Sequence, residues 1–213
     1  MPLGNSDTSK IYLNISFGKL RQKATESTPG AISRVNKLNE TVWEKVYGWI
    51  TGKITGIYYK EHAEYGNSYE VTINDGQESY NVSLNEDSKY CRDFLSKLPN
   101  IDLNRDVTLS PYDFKPQGED RNIKGLSIKQ DEIKLENYFI KKDENNGLSF
   151  LHGYPERDGE LSKSQWKIYS IKVQEFLNEY TKANIIPTLS EQNLSNVSNE
   201  PIDDSSEDDD LPF

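Results

Sequence analysis

The 213-residue chain has a single cysteine, Cys91, and only two histidines, His62 and His152, far apart. One cysteine excludes a disulfide framework and a cysteine zinc site. Two separated histidines leave a histidine-based centre short of ligands. No metal and no cofactor is expected. No apolar run approaches the ~20 residues of a membrane span, and the first residues lack the charged-then-apolar pattern of a signal peptide. The expectation is a reduced, cytoplasmic protein with no membrane partner. No glycine-rich phosphate loop precedes a helical pattern. Glu132 and Lys134 have the Glu-x-Lys spacing of some nucleases, a pair that a charged chain produces freely. Cys91 sits among Tyr90, Phe94 and Leu95, where a buried structural thiol is the usual case. The chain is not expected to be an enzyme. Apolar residues make up only 34% of it, so part of the chain should lie outside any core.

What the chain does have is tyrosine, 13 copies beside 3 tryptophans and 7 phenylalanines, residues that favour both contact surfaces and sheets. Its net charge of −10 is unevenly spread. Residues 188–213 carry eight acids and no base; the remainder has 27 acids against 25 bases. Residues 1–60 hold nine bases and four acids. The acidity is thus concentrated at one end, and a basic region remains.

Ile11, Leu13, Ile15 and Phe17 alternate with polar neighbours and read as a strand ended by Gly18. Lys19, Arg21 and Lys23 follow, then a turn at Pro29 and Gly30, then a short segment with Arg34 and Lys37; residues 1–40 read as a basic N-terminal β extension. Residues 41–60 are the longest strand-like stretch. Val42, Val46, Ile50 and Ile54 stand on one side; Trp43, Lys45, Tyr47, Trp49 and Lys53 stand on the other. Gly48, Gly52 and Gly56 mark bends or bulges, each of which would exchange the faces beyond it. Residues 69–73 and 80–84 form a hairpin about Asp75 and Gly76. A helix over 87–98 is stopped by Pro99, and strands follow over 107–114 and 123–128, with 133–138 extending the last or adding a sixth. After a polar linker at 141–146, residues 162–183 read as an amphipathic helix capped by Ser162 or Ser164. It packs on the barrel or serves as a dimer contact. From 187 the chain is polar, aperiodic and expected to be a disordered acidic tail.

Three strands, a helix and two strands is the order of an OB-fold, a five-stranded Greek-key barrel that binds single strands across strands 2 and 3 between two walling loops. The fold class expected is mainly β (α+β), with the barrel over 41–140 and the linker and C-terminal helix over 141–186. Single-strand binding needs rings for bases and cations for phosphates. Trp43, Lys45, Tyr47, Trp49 and Lys53 supply both. Tyr58, Tyr59 and Lys60 lead into one loop, and Tyr112, Phe114, Lys115, Arg121 and Lys124 surround the other. These thirteen are the candidate DNA-binding residues.

The last residues, Asp208, Asp209, Asp210, Leu211, Pro212 and Phe213, join a charge run to an aromatic anchor. A small apolar pocket rimmed by Lys and Arg would receive them. This ending resembles the C-terminal tip of bacterial single-stranded DNA-binding proteins. The N-terminal extension, the helical appendage and a linker that is not Gly- and Gln-rich make the chain more similar to bacteriophage members. The resemblance implies a non-enzymatic protein that coats single-stranded DNA in replication, recombination and repair. It also implies a tip that recruits replication and repair proteins (polymerase, helicase or primase, nuclease) and competes with DNA for the groove. Only residues 208–213 carry over by position. The alternative class is an acidic adaptor or DNA mimic that binds a host replication protein and no DNA.

Overall fold

Phe17 and Gly18 both have positive φ (50° and 66°), the mirror-image geometry that suits a two-residue hairpin. In the computed structural model, which describes residues 10–189 apart from 37, 65, 143–146 and 158, this turn joins β1 (Ile11–Ser16) to β2 (Lys19–Ala24). The turn is also packed: a Cβ on Gly18 would lie 2.3 Å from the Asp113 backbone nitrogen, and the Gly18 N–H donates to the Tyr90 hydroxyl at 3.0 Å. β3 (Ile32–Val35) and β4 (Thr41–Tyr47) follow, and β4 pairs antiparallel with β2 on one side and β3 on the other. The N-terminal segment, expected as an extension, is tied into the main sheet, because β1 also pairs in parallel with β7 (Ser79–Asn85), Leu13 beside Val82.

Residues 41–60, expected as one long strand, form two. Gly48 and Trp49 break the run, and β5 (Ile50–Lys60) leaves β4 to pair first with β8 (Val107–Phe114) and then with β6 (Ser68–Asn74). A Cβ at Gly52 would meet the Asn74 carbonyl oxygen at 2.5 Å, so the crossing between the two neighbours requires a residue with no side chain. A bulge between Ile54 and Gly56 then shifts the register. Exposed positions are odd up to Thr55, and Tyr58 and Lys60 take over beyond it, as one inserted residue demands.

β6 and β7 form the expected hairpin, with the Asp75 carboxylate accepting from the N–H groups of Gln77 and Glu78 (2.9 and 2.8 Å). The Ser88 hydroxyl caps α1 (Lys89–Lys97), which runs into a 3₁₀ turn at Leu98–Asn100. β9 (Ile123–Gln130) pairs with β8, and β10 (Ile133–Lys134) folds back on it through Asp131 and Glu132. Beyond the reach of β10, that same edge of β9 is covered by side chains of α1. The Leu126 N–H donates to Asp93 Oδ2 at 3.0 Å, and Lys97 Nζ donates to the Leu126 carbonyl at 2.6 Å. Two polar side chains take the place of a neighbouring strand.

Among the described residues the strands form one mixed sheet in the order β10-β9-β8-β5-β6-β7-β1-β2-β4-β3. β11 (Ile140–Lys142) and β12 (Leu148–Phe150) make a separate pair that overlaps the start of the polar linker expected over 141–146 and follows its end. The architecture is mainly β with two helices. No hydrogen-bonded pairing joins the two ends of the large sheet among the described residues. α2 (Lys163–Asn184) opens on a capping box between Ser162 and Gln165, packs on α1, and buries Val173, Leu177 and Thr181. Phe139 fills the space beneath it, with the rings of Tyr154, Phe176 and Tyr180 within 4.9–5.6 Å. Much of the tyrosine is therefore packing material. Residues 186–189 add a helical turn and Leu189 is buried, so the chain stays packed past position 187. Among the described residues no helix is long and apolar enough to cross a membrane.

Candidate nucleic-acid interface

Residues opposite one another on paired strands share a face, so the register sorts the candidates. One face carries Ile57, Val71, Val82, Leu13 and Leu20, the buried core. The other carries Lys53, Tyr58 and Lys60 on β5, Glu70 and Thr72 on β6, Asn81 and Ser83 on β7, Tyr12 and Asn14 on β1, and Lys19, Arg21 and Lys23 on β2.

This second face is grooved. Asn14, Ser68, Glu70 and Ser83 line a hollow of about 390 Å³ with Lys60 and His62 on one side and Ser88 and Tyr90 on another. The Glu70 carboxylate accepts from the Ser83 hydroxyl at 2.9 Å. Asn81 is buried with its Oδ1 lacking a hydrogen-bond partner among the described residues. Tyr58 lies over Gly56 and remains 55% exposed, Tyr12 is 62% exposed, and Phe17 is 70% exposed with Arg21 over its ring at 5.4 Å. Arg21 and Arg34 both hold Glu44, Arg21 by one 2.7 Å contact and Arg34 through both carboxylate oxygens. The Arg34 bond keeps the Glu44 carboxyl below its usual range, against the opposing pull of burial. The cations left facing solvent are lysines: Lys19, Lys23, Lys53 and Lys60.

The structure parts the thirteen candidates. Lys53, Tyr58 and Lys60 share the grooved face. Trp43, Lys45 and Tyr47 do not share it with Lys53: they pair with Ala24, Gln22 and Leu20 and follow the core face. The reason is the break at Gly48 and Trp49, which removes the continuity that the alternation assumed. Trp49, 67% exposed, joins Tyr47 and Tyr80 around a separate cleft of about 230 Å³. Its lining contains Asp75 and Glu78 and no cation. The Tyr80 hydroxyl donates to both carboxylates (3.1 and 3.0 Å), and burial followed by these bonds pushes its pKa up. Two carboxylates repel a phosphate chain, so these rings lack the companions that single-strand binding needs.

Tyr59, expected beside Tyr58 as a binding residue, faces the opposite side, as adjacent strand residues do, and the bulge makes it the inward one of the two. Its ring packs edge-on against buried Tyr69 at 5.1 Å, its hydroxyl donates to Glu86 at 3.0 Å, and Lys182 of α2 sits 3.4 Å from the ring centroid. Burial, with that bond to Glu86, pushes its phenol up to about 12.

Tyr112 and Phe114 lie together on β8, ring centroids 6.0 Å apart, with Lys124 near the start of β9 and Lys115 and Arg121 exposed in the loop between. The Cys91 thiol is buried and pushed up by desolvation, so it stays protonated. Residues 208–213 lie outside the described residues. Tyr12, Phe17, Arg21 and Lys23 were not among the candidates. Their signal was the i, i+2 spacing of Lys19, Arg21 and Lys23, which puts three cations on one face of any strand. No protein-family model, curated protein or solved structure matches this chain.

Proposed function

We propose that the protein binds single-stranded DNA without sequence preference across the face of β5, β6, β7, β1 and β2, and that residues 208–213 dock replication or repair proteins. The observation that carries the reading is the order β9-β8-β5-β6-β7, with α1 between β7 and β8 and a bent β5 serving two neighbours. The order supports an OB-fold reading, in which strands 2 and 3 are the binding platform; on that reading β6 and β7 are those strands. β1 and β2 would widen the platform on its open side. Lysines and exposed rings on that face supply the two ingredients of sequence-tolerant binding, charge for phosphates and flat surfaces for bases.

The test is a titration of labelled oligonucleotide with the full chain and with a protein ending at Leu189, since Leu189 belongs to the core. Binding should weaken with salt at a log–log slope of about 0.7 per phosphate neutralised. Removing the acidic segment should tighten binding, most at low salt, where screening is weakest. An acidic adaptor would bind no oligonucleotide in either form, and that result would reverse the assignment. Deleting Phe213 alone should leave DNA binding intact and abolish recovery of partner proteins.

A further inference from the structure

The face just described ends at the first turn of α1, where Ser88 and Tyr90 line the groove. Lys89 and Arg92, from the same turn and the next, point to the other side. There they line a second cleft, about 270 Å³, between α1, α2 and the β11–β12 pair. Its floor is apolar and aromatic: Ile140, Phe150, Tyr154 and Val173. Its rim is Lys89, Arg92, Arg157, Trp166 and Tyr169. The Arg157 guanidinium stands 5.2 Å from the centre of the Trp166 ring, and Tyr169 meets that ring edge-on at 5.7 Å. Trp166 is 41% exposed.

Two of the cations have no carboxylate partner among the described residues. Lys89 is held by Asp93 at 2.6 Å. Arg92 and Arg157 form no ion pair among the described residues, and Arg92 Nε is buried without a hydrogen-bond partner. A buried guanidinium N–H with no acceptor is costly, and an anion entering the cleft would remove that cost. The cleft also adjoins the β8–β9 end. Trp166 lines a neighbouring hollow with Lys163 and with Arg121 of the β8–β9 loop. Asp93, which holds Lys89, comes close to the Tyr112 hydroxyl, since both would crowd a Cβ at Gly125.

We propose that this cleft is a further subsite for the same single strand: Trp166 stacks a base, and Arg92 and Arg157 hold the adjoining phosphate. The inference rests on the DNA-binding reading and extends it, assigning to α2 a part in the interface. A strand running along the grooved face past the α1 N-terminus meets these residues next. The chemistry, an aromatic plane beside unpaired guanidinium groups, is that of a base-and-phosphate site.

The experiment exploits the three tryptophans. With Trp43→Phe and Trp49→Phe, Trp166 becomes the only indole in the chain, and its fluorescence reports on the cleft at saturating oligothymidylate. Lengths span about 4 to 16 nucleotides, the range of single-barrel sites. Trp166 should be quenched by long oligonucleotides and not by short ones that fill the groove alone. Trp166→Ala should weaken the long oligonucleotides by about 5- to 100-fold, the worth of one stacked base, and leave short ones unchanged. Arg157→Gln should lower their salt slope by about 0.7. Quenching by a synthetic peptide of residues 208–213, with none by DNA, would overturn the proposal and make the cleft a peptide-docking site. No quenching by either, with Tyr58→Ala still weakening DNA binding, would overturn the subsite and leave the grooved face as the interface. Failure of every form to bind DNA would remove both readings together.

Discussion

Replacing Asp93 with alanine tests how β9 is held. Asp93 is buried; its Oδ2 accepts from the Leu126 N–H at 3.0 Å and its Oδ1 from Lys89 Nζ at 2.6 Å. The alanine variant leaves the Leu126 amide without an acceptor at a point on the β9 edge that β10 does not reach. An orphaned buried amide costs about 1–3 kcal/mol, and the Lys89 contact, 45% exposed on the lysine side, adds at most about 0.5 kcal/mol. The expected destabilisation is about 1–3.5 kcal/mol. With a urea m-value of about 2 kcal/mol/M, the midpoint should fall by about 0.5–1.75 M. Asp93→Asn keeps an acceptor and should lose about half as much.

A pH signature accompanies the loss. Burial lowers the pKa of Lys97 from its ordinary 10.5, and the charge of Asp93 partly restores it. Without Asp93 the folded pKa falls further below the unfolded one. The extra penalty is full at neutral pH and is relieved as pH rises through the lowered folded value toward 10.5. The gap between variant and parent should therefore narrow in alkaline solution. Hydrogen exchange at Leu126 provides the local readout. An unchanged midpoint, with Leu126 exchanging as slowly as in the parent, would refute the idea that α1 side chains stand in for a strand.

Glu44 gives the opposite pH dependence. Its carboxyl is held low by Arg34, so its contribution is present above about 4.5 and disappears as pH falls through the lowered folded value; acid titrations of parent and Glu44→Gln should differ near neutrality and converge at low pH. Tyr58→Ala should cost about 1–3 kcal/mol of DNA binding with little change in melting temperature. Tyr59→Ala should cost about 2–3 kcal/mol of stability, less than a fully buried aromatic because its ring is only partly buried against the core, with little direct effect on DNA; equal effects of the two would contradict the bulge.

Where the sequence spoke locally, it was readable. The Asp75-Gly76 hairpin, the helix ending at Pro99, the strands after it and the Ser162 cap all rest on residues a few positions apart. Gly48 was legible as a bend, but its effect, two strands in place of one, was masked because Val42, Val46, Ile50 and Ile54 keep the same parity through it. The bulge was hidden because Thr55 is an ordinary strand residue; Gly56, one position on, was the only mark. The Asp131-Glu132 turn carries no glycine to announce it. The parallel pairing of β1 with β7 joins segments about seventy residues apart, which no local pattern records. The same limits divided the candidate site: Lys53, Tyr58 and Lys60 were each legible as candidates, but their common face depends on the bulge, and nothing in the apolar stripe of residues 162–183 set Trp166 apart.

The extra residue in β5 acts as a phase shifter in the chain's evolution. Tyr58 and Tyr59 are adjacent and chemically identical, yet one answers to whatever lies in the groove and the other to the interior beneath α2. Tyr58, exposed over Gly56, is open to replacement by Phe, Trp or His, and Tyr59 is bound to Tyr69, Glu86 and Lys182. Loss of one residue between Ile54 and Gly56 would exchange their duties in a single step, presenting the interior tyrosine to solvent and burying the exposed one. Length at that point should be more strictly kept across descendants of this chain than the identity of Thr55 itself.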